Sequence, residues 1–102
     1  MDKALSYLGL ARKAGRIELG EEPAGAAAQA RKASLIVVAG DASENTWPRA
    51  NHFVAGTEQQ CVRVTFTKDQ MGQAVGRTSL ALAAITDPAL ALAFIKALDE
   101  IR

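Results

Sequence analysis

Apolar positions along this chain switch repeatedly between a helical spacing and the spacing of a strand. Between Asp2 and Ala14, Leu5, Leu8 and Ala11 fall on one helical face, and Gly15 supplies a stop. Ile17-Glu18-Leu19 then alternates as a short strand. Gly20-Glu21-Glu22-Pro23 reads as a helix start, because acids complement the positive end of a helix dipole and proline is tolerated in the first turn. The helix that follows, Ala24 to Lys32, is built almost wholly of alanine, so it can lie close to a sheet.

Ser34 to Gly40 contains Leu35-Ile36-Val37-Val38-Ala39, an unbroken apolar run suited to a strand covered on both faces. Asp41-Ala42-Ser43-Glu44-Asn45 offers a capping box, and Pro48 fits only a first turn, so a third helix is expected to start after Asp41 and end near Gly56. From Cys61 to Phe66, Val62, Val64 and Phe66 alternate with Arg63 and Thr65 as a third strand. Thr67-Lys68-Asp69-Gln70 is a second capping box, opening a short helix towards Gly76. Leu80 to Ile85 is a fourth strand, and Asp87-Pro88 caps a last helix in which Leu90, Phe94, Ala97, Leu98 and Ile101 keep helical spacing.

The resulting order, αβαβαβαβα, predicts an α/β fold with a sheet between helices and polar loops gathered at the carboxyl ends of strands. Function is expected on those loops, around Gly20, Gly40-Asp41 and Thr67-Lys68. With 102 residues the chain has room for one domain and one core. The start, Met1 to Tyr7, lacks the apolar run of a leader, and no segment is long and apolar enough for a membrane span, so a cytoplasmic address and no membrane partner are expected.

Charge narrows the function. A net charge of +1 is small for a protein that coats nucleic acid indiscriminately, so any affinity for RNA must come from a local cluster. Residues 1–77 carry ten of the twelve Lys and Arg. Arg12, Lys13 and Arg16 surround the turn after the first helix, where they either complement its dipole or contact phosphates. Arg31-Lys32 repeats the arrangement after the second helix, and there the dipole role is the expectation.

The residues offer little to an enzyme. His52 is the only histidine, which rules out a multi-histidine metal site, and it reads as a polar position of the third helix. The single cysteine, Cys61, cannot form a disulfide within the chain and reads as a small core hydrophobe. Asp41 and Ser43 read as helix caps, and no phosphate-binding glycine loop is present. No catalytic residue, metal or cofactor is expected.

Taken together, Leu8-Gly9-Leu10-Ala11-Arg12-Lys13-Ala14-Gly15-Arg16, Gly20-Glu21-Glu22, the run from Leu35 to Ala39, Asp41 to Thr46, Lys68 with Gly72, Ala74 and Gly76, and Ala83 to Asp87 resemble one family. It is the kink-turn RNA-binding ribosomal-protein superfamily, in its bacterial YlxQ-like branch, matched in order and spacing over about residues 5–97. The resemblance implies a three-layer α/β/α sandwich around a mixed four-stranded sheet. It also implies non-catalytic binding of structured or ribosomal RNA at sharply bent internal loops.

In kink-turn binders a Gly-x-Asn-Glu-x-x-Lys pattern opens the second helix. Aligned on Gly20, the present chain has Glu22, Pro23 and Ala26 at the Asn, Glu and Lys positions. Proline has no backbone donor and alanine no polar side chain, so standard kink-turn recognition is expected to be lost. The remaining RNA-facing candidates are Arg12, Lys13, Arg16, Asn45 and Lys68, beside Glu22 and the main-chain donors of Gly20. The segment Thr67 to Gly72, with Gln70, Met71 and Gly72, is expected to lie against bases. A second reading is a protein-interaction module, with a partner in the translation machinery, that keeps the fold and has lost RNA binding.

Overall fold

The computed structural model describes residues 2–100, in which five helices and four strands alternate as αβαβαβαβα. Helices α1 (Lys3–Lys13) and α2 (Glu21–Gln29) flank β1 (Ile17–Leu19), and β2 (Leu35–Val38) leads to α3 (Thr46–Val54). The second half runs β3 (Gln60–Arg63), α4 (Lys68–Ala74), β4 (Leu82–Ile85) and α5 (Pro88–Asp99). The strands form one mixed sheet in the order β1-β4-β2-β3, with β2 and β3 parallel and the other two pairs antiparallel.

Side-chain alternation divides the core into two layers. Leu35, Val37, Ala83 and Ile85 face one side with Ile17 and Leu19, against Leu8 of α1, Met71 of α4 and Phe94 of α5. Ile36, Val38, Leu82 and Ala84 face the other, against Ala24, Ala27 and Ala28 of α2 and Ala50 of α3. This three-layer α/β/α sandwich is the architecture expected from the sequence. Both faces of β2 and β4 are fully covered, which explains their unbroken apolar runs.

Several boundaries differ from the expected ones. Helix α2 starts at Glu21 rather than Ala24 and stops at Gln29, short of Lys32. The cause of its early stop is a left-handed Arg31 (φ 59°), after which the Arg31 and Lys32 amides donate back to the Ala28 and Ala27 carbonyls. Helix α3 does not follow directly on Asp41: residues 41–45 form a turn, and Asn45 is the N-cap. The Asp41 carboxylate is engaged elsewhere, accepting the Lys68 amide at 2.7 Å, so the expected capping box does not form.

The ladder of β2 covers less than Ser34 to Gly40, and β3 leaves it after Arg63, although Val64 and Phe66 stay buried beyond it. Strand β4 starts at Leu82 rather than Leu80. The capping box of Thr67 and Gln70 and the Asp87 cap of α5 form as expected. Ile101, assigned to the last helix from its spacing, lies outside the described residues, as does Met1. No helix of the described residues is long and apolar enough to cross a membrane.

Candidate nucleic-acid interface

Hydrogen bonds across the sheet gather the expected loops at one rim. The Gly20 amide donates to the Leu82 carbonyl at 2.9 Å, Ala39 to Ala81 at 2.9 Å, and Gly40 to Phe66 at 2.8 Å. Leu80 donates to the Lys68 carbonyl at 2.9 Å, so the carboxyl ends of β1, β2 and β3 and the start of β4 share that rim. Asn45 is exposed there at the start of α3, and Arg49 one turn on pairs with Glu21 at 2.6 Å, tying α3 to the first turn of α2. Glu22 is exposed beside Glu21, where both acids complement the α2 dipole.

The same bonds correct the expectation for main-chain donors. Gly20 spends its amide on Leu82, Thr67 on the Gln70 side chain, Lys68 on Asp41, and Gln70 and Met71 on Thr67. Gln70 is exposed, and its side-chain oxygen is engaged in the α4 cap. Met71 is sealed in the core at 0% exposure, and Gly72 is buried against the following turn. The segment Thr67 to Gly72 is the first part of a helix packed inward, so Met71 and Gly72 cannot lie against bases.

The basic residues are divided between two places. Arg16 lies at the opposite rim, where its carbonyl accepts the Thr86 amide at 2.8 Å. The length of β1, roughly 10 Å at about 3.3 Å per residue, separates it from the Gly20 rim that Lys68 shares. Lys13 is exposed at the end of α1. Arg12 instead lines a shallow depression along β1 together with Ile17, Glu18, Leu19, Pro23 and a residue the sequence pattern does not single out, Arg77.

Arg77 sits in the polar turn between α4 and β4. It shares a depression with Arg12 because α1 packs close to α4: a Cβ on Gly9 would lie 3.0 Å from the Ala74 carbonyl. Gly72 anchors the turn itself, since a Cβ there would lie 2.7 Å from the Ser79 nitrogen and 2.8 Å from the Arg77 oxygen. Among the described residues the ion pairs are Lys3–Glu100 and Arg49–Glu21, so Arg12 and Arg77 face solvent without an acidic partner within ion-pair distance.

Strand β1 is a free edge of the sheet. Arg16 and Gly20 hydrogen-bond to Thr86 and Leu82, so by the antiparallel alternation Glu18 bonds to β4 and the amides and carbonyls of Ile17 and Leu19 turn towards the open side. The depression therefore combines two guanidinium groups with a short row of unpaired backbone groups. Guanidinium is a planar, permanently charged donor that suits phosphate oxygens.

Elsewhere the chemistry is sparse. Cys61 is half-buried on the other edge strand rather than inside the core, with its Sγ 3.5 Å from Asn51 Oδ1. Burial raises its thiol pKa above the ordinary 9.0, which disfavours a reactive thiolate. His52 is exposed on α3, beside Gly25, Gln29 and Phe53. No group of three His, Cys, Asp or Glu side chains among the described residues could hold a metal ion.

Known proteins resemble this chain in sequence and in fold. The family model for ribosomal proteins L7Ae, L30e, S12e and Gadd45 matches residues 2–94. The RNA-binding protein YlxQ of Enterococcus faecium is 35% identical over 75 residues, spanning 74% of this chain and 72% of that protein. A Bacillus halodurans protein of unknown function has the same fold, with a TM-score of 0.89 at 23% identity over 97% of this chain and 99% of the other. The 15.5 kD RNA-binding protein of Giardia lamblia matches with a TM-score of 0.74 at 18% identity, over 97% and 84%.

Proposed function

This chain belongs to the ribosomal protein L7Ae/L30e/S12e/Gadd45 family, and from that premise we propose that it is a non-enzymatic RNA-binding domain that holds structured RNA mainly by its phosphates. The observation that carries the proposal is that Arg12 and Arg77 line one depression beside the open edge of β1, next to Pro23. A relative 35% identical over 75 residues bears the name of an RNA-binding protein, which supports RNA as the ligand. The ribosomal proteins among the family's namesakes support ribosomal RNA as the structured RNA it holds.

Base recognition is the weaker half of this interface. Pro23 and Ala26 are exposed on α2, at the positions where kink-turn binders carry polar side chains, and neither can donate or accept through its side chain. Each missing base-directed or charge-assisted interaction costs on the order of 1–3 kcal/mol, enough to remove most preference for that motif. Arg12 and Arg77 retain the sequence-independent contribution.

A competing reading, a protein-interaction module, is favoured by Leu10 on α1 and Leu92 on α5, exposed at 49% and 54%. The Lys3–Glu100 pair shows that the two helices run antiparallel, so both leucines lie towards the same end of that layer. Two leucines are a small patch beside the several hundred Å² typical of a docking site, and RNA binding is the stronger reading.

Fluorescence anisotropy with a kink-turn RNA and a plain RNA duplex of equal length tests the proposal. The expected result is binding to both, with affinities within a few-fold of each other. Tight binding restricted to the kink-turn would show that base recognition survives the changes at Glu22, Pro23 and Ala26. Absence of binding to either would favour the protein-interaction reading.

A further inference from the structure

A second depression lies on the other flank of β1, against α2, and is lined by Glu18, Pro23, Ala26, Ala30, Lys32 and Thr86 among others. It shares Glu18 and Pro23 with the Arg12–Arg77 depression, so the two slopes adjoin along β1, one towards α1 and one towards α2. Lys32 lies on the α2 slope near Thr86, whose amide bonds the Arg16 carbonyl. Both slopes therefore carry cations, whereas the shared element between them carries the carboxylate of Glu18.

We infer that the edge strand β1 lies along a groove of helical RNA, with Arg12 and Arg77 holding the phosphate run on one side and Lys32, seconded by Arg16, the run on the other. The inference rests on the RNA-binding reading above and extends its interface across the strand. Three features support a two-sided grip. Glu18 lies exposed between the two groups of cations, where its oxygens can accept from 2′-hydroxyls that line an RNA groove. The α2 slope is otherwise small and apolar (Pro23, Ala26, Ala30), which lets a backbone approach Lys32 closely. No ion pair among the described residues engages Lys32 or Arg16.

The neighbouring Arg31 provides an internal control. Its charge is the same and its position adjacent, but it lines a different depression, with Gly56, Thr57, Glu58 and Gln59. A dipole role at the end of α2, or a general effect of net charge, would treat Arg31 and Lys32 alike. A groove contact would not.

The test is a salt series of anisotropy titrations with a fluorescein-labelled 20-base-pair RNA duplex and with one of its strands alone. Lys32→Gln is expected to weaken duplex binding several-fold and to flatten the plot of log affinity against log salt by about 0.7–0.9. Arg31→Gln should leave that slope unchanged, and the loss at Lys32→Gln should be smaller on the single strand, which offers one phosphate run. Equal flattening by both variants, or none by Lys32→Gln while the parent binds, overturns the two-sided grip and leaves the RNA reading intact. Failure of the parent to bind either RNA overturns both.

Discussion

The carboxylate of Asp41 accepts a hydrogen bond from the backbone amide of Lys68 at 2.7 Å, joining the turn after β2 to the first residue of α4. The bond satisfies an amide that the start of a helix would otherwise leave without a partner. It also places a negative charge at the positive end of the α4 dipole. Asp41→Ala is expected to destabilise the fold by about 1–2 kcal/mol in urea denaturation, the scale of a lost helix cap. Asp41→Asn, which keeps an acceptor oxygen, should recover most of that loss.

Gly72→Ala tests the anchoring of the Arg77 turn. The added methyl would meet the backbone of Arg77 and Ser79 at 2.7–2.8 Å, and backbone cannot rotate away as a side chain can. Overpacking of this kind typically costs about 1–3 kcal/mol. Because the relief is a displaced turn, RNA affinity should fall along with the melting temperature, a coupling that thermal melts and anisotropy on one preparation would reveal. Unchanged RNA binding in the destabilised variant would detach Arg77 from the interface.

Arg31 holds a backbone conformation that suits glycine, with φ at 59°. The left-handed region costs a non-glycine residue roughly 1–2 kcal/mol, against about 0.5–1 kcal/mol for the extra unfolded-state freedom of glycine. Arg31→Gly should therefore raise stability by about 0.5–1 kcal/mol, or a few degrees in melting temperature for a domain of this size. Differential scanning calorimetry would measure it, and a lower melting temperature would show that the Arg31 side chain makes interactions that outweigh the strain.

Local signals carried most of the fold. Helical and alternating periods, an unbroken apolar run and helix-start signals locate all nine elements, and the caps at Thr67 and Asp87 are legible because each rests on a hydrogen bond within a few residues. The start of α3 was misplaced because the partner of Asp41 is Lys68, far along the chain, and a capping box read within one segment cannot see it. The fate of Met71 follows the same rule. Its place in the short helix was foreseen, but whether its side chain met solvent or core depended on how α4 packs against the sheet.

The site was legible in part. Arg12 stood out through its basic neighbours, and Pro23 through the family pattern. Arg77 escaped notice because it is a lone cation in a polar turn, and its proximity to Arg12 depends on the close approach of α1 to α4 at Gly9. Lys68 was grouped with the basic turn, whereas the structure leaves it at the Gly20 rim, outside the depression that Arg12 and Arg77 share. Spacing along a chain identifies charges but not which of them share a face.

The claim that Arg12 and Arg77 grip RNA phosphates is tested most directly by the salt dependence of binding. The double variant Arg12→Gln, Arg77→Gln is compared with the parent on a plain RNA duplex, with circular dichroism confirming that both are folded. Both side chains are solvent-facing and outside the ion pairs of the described residues, so the fold should be nearly unaffected. The account predicts weaker binding for every sequence tried and a slope of log affinity against log salt flattened by about 0.7–0.9 for each phosphate no longer held. Equal slopes and equal affinities for parent and double variant would contradict it.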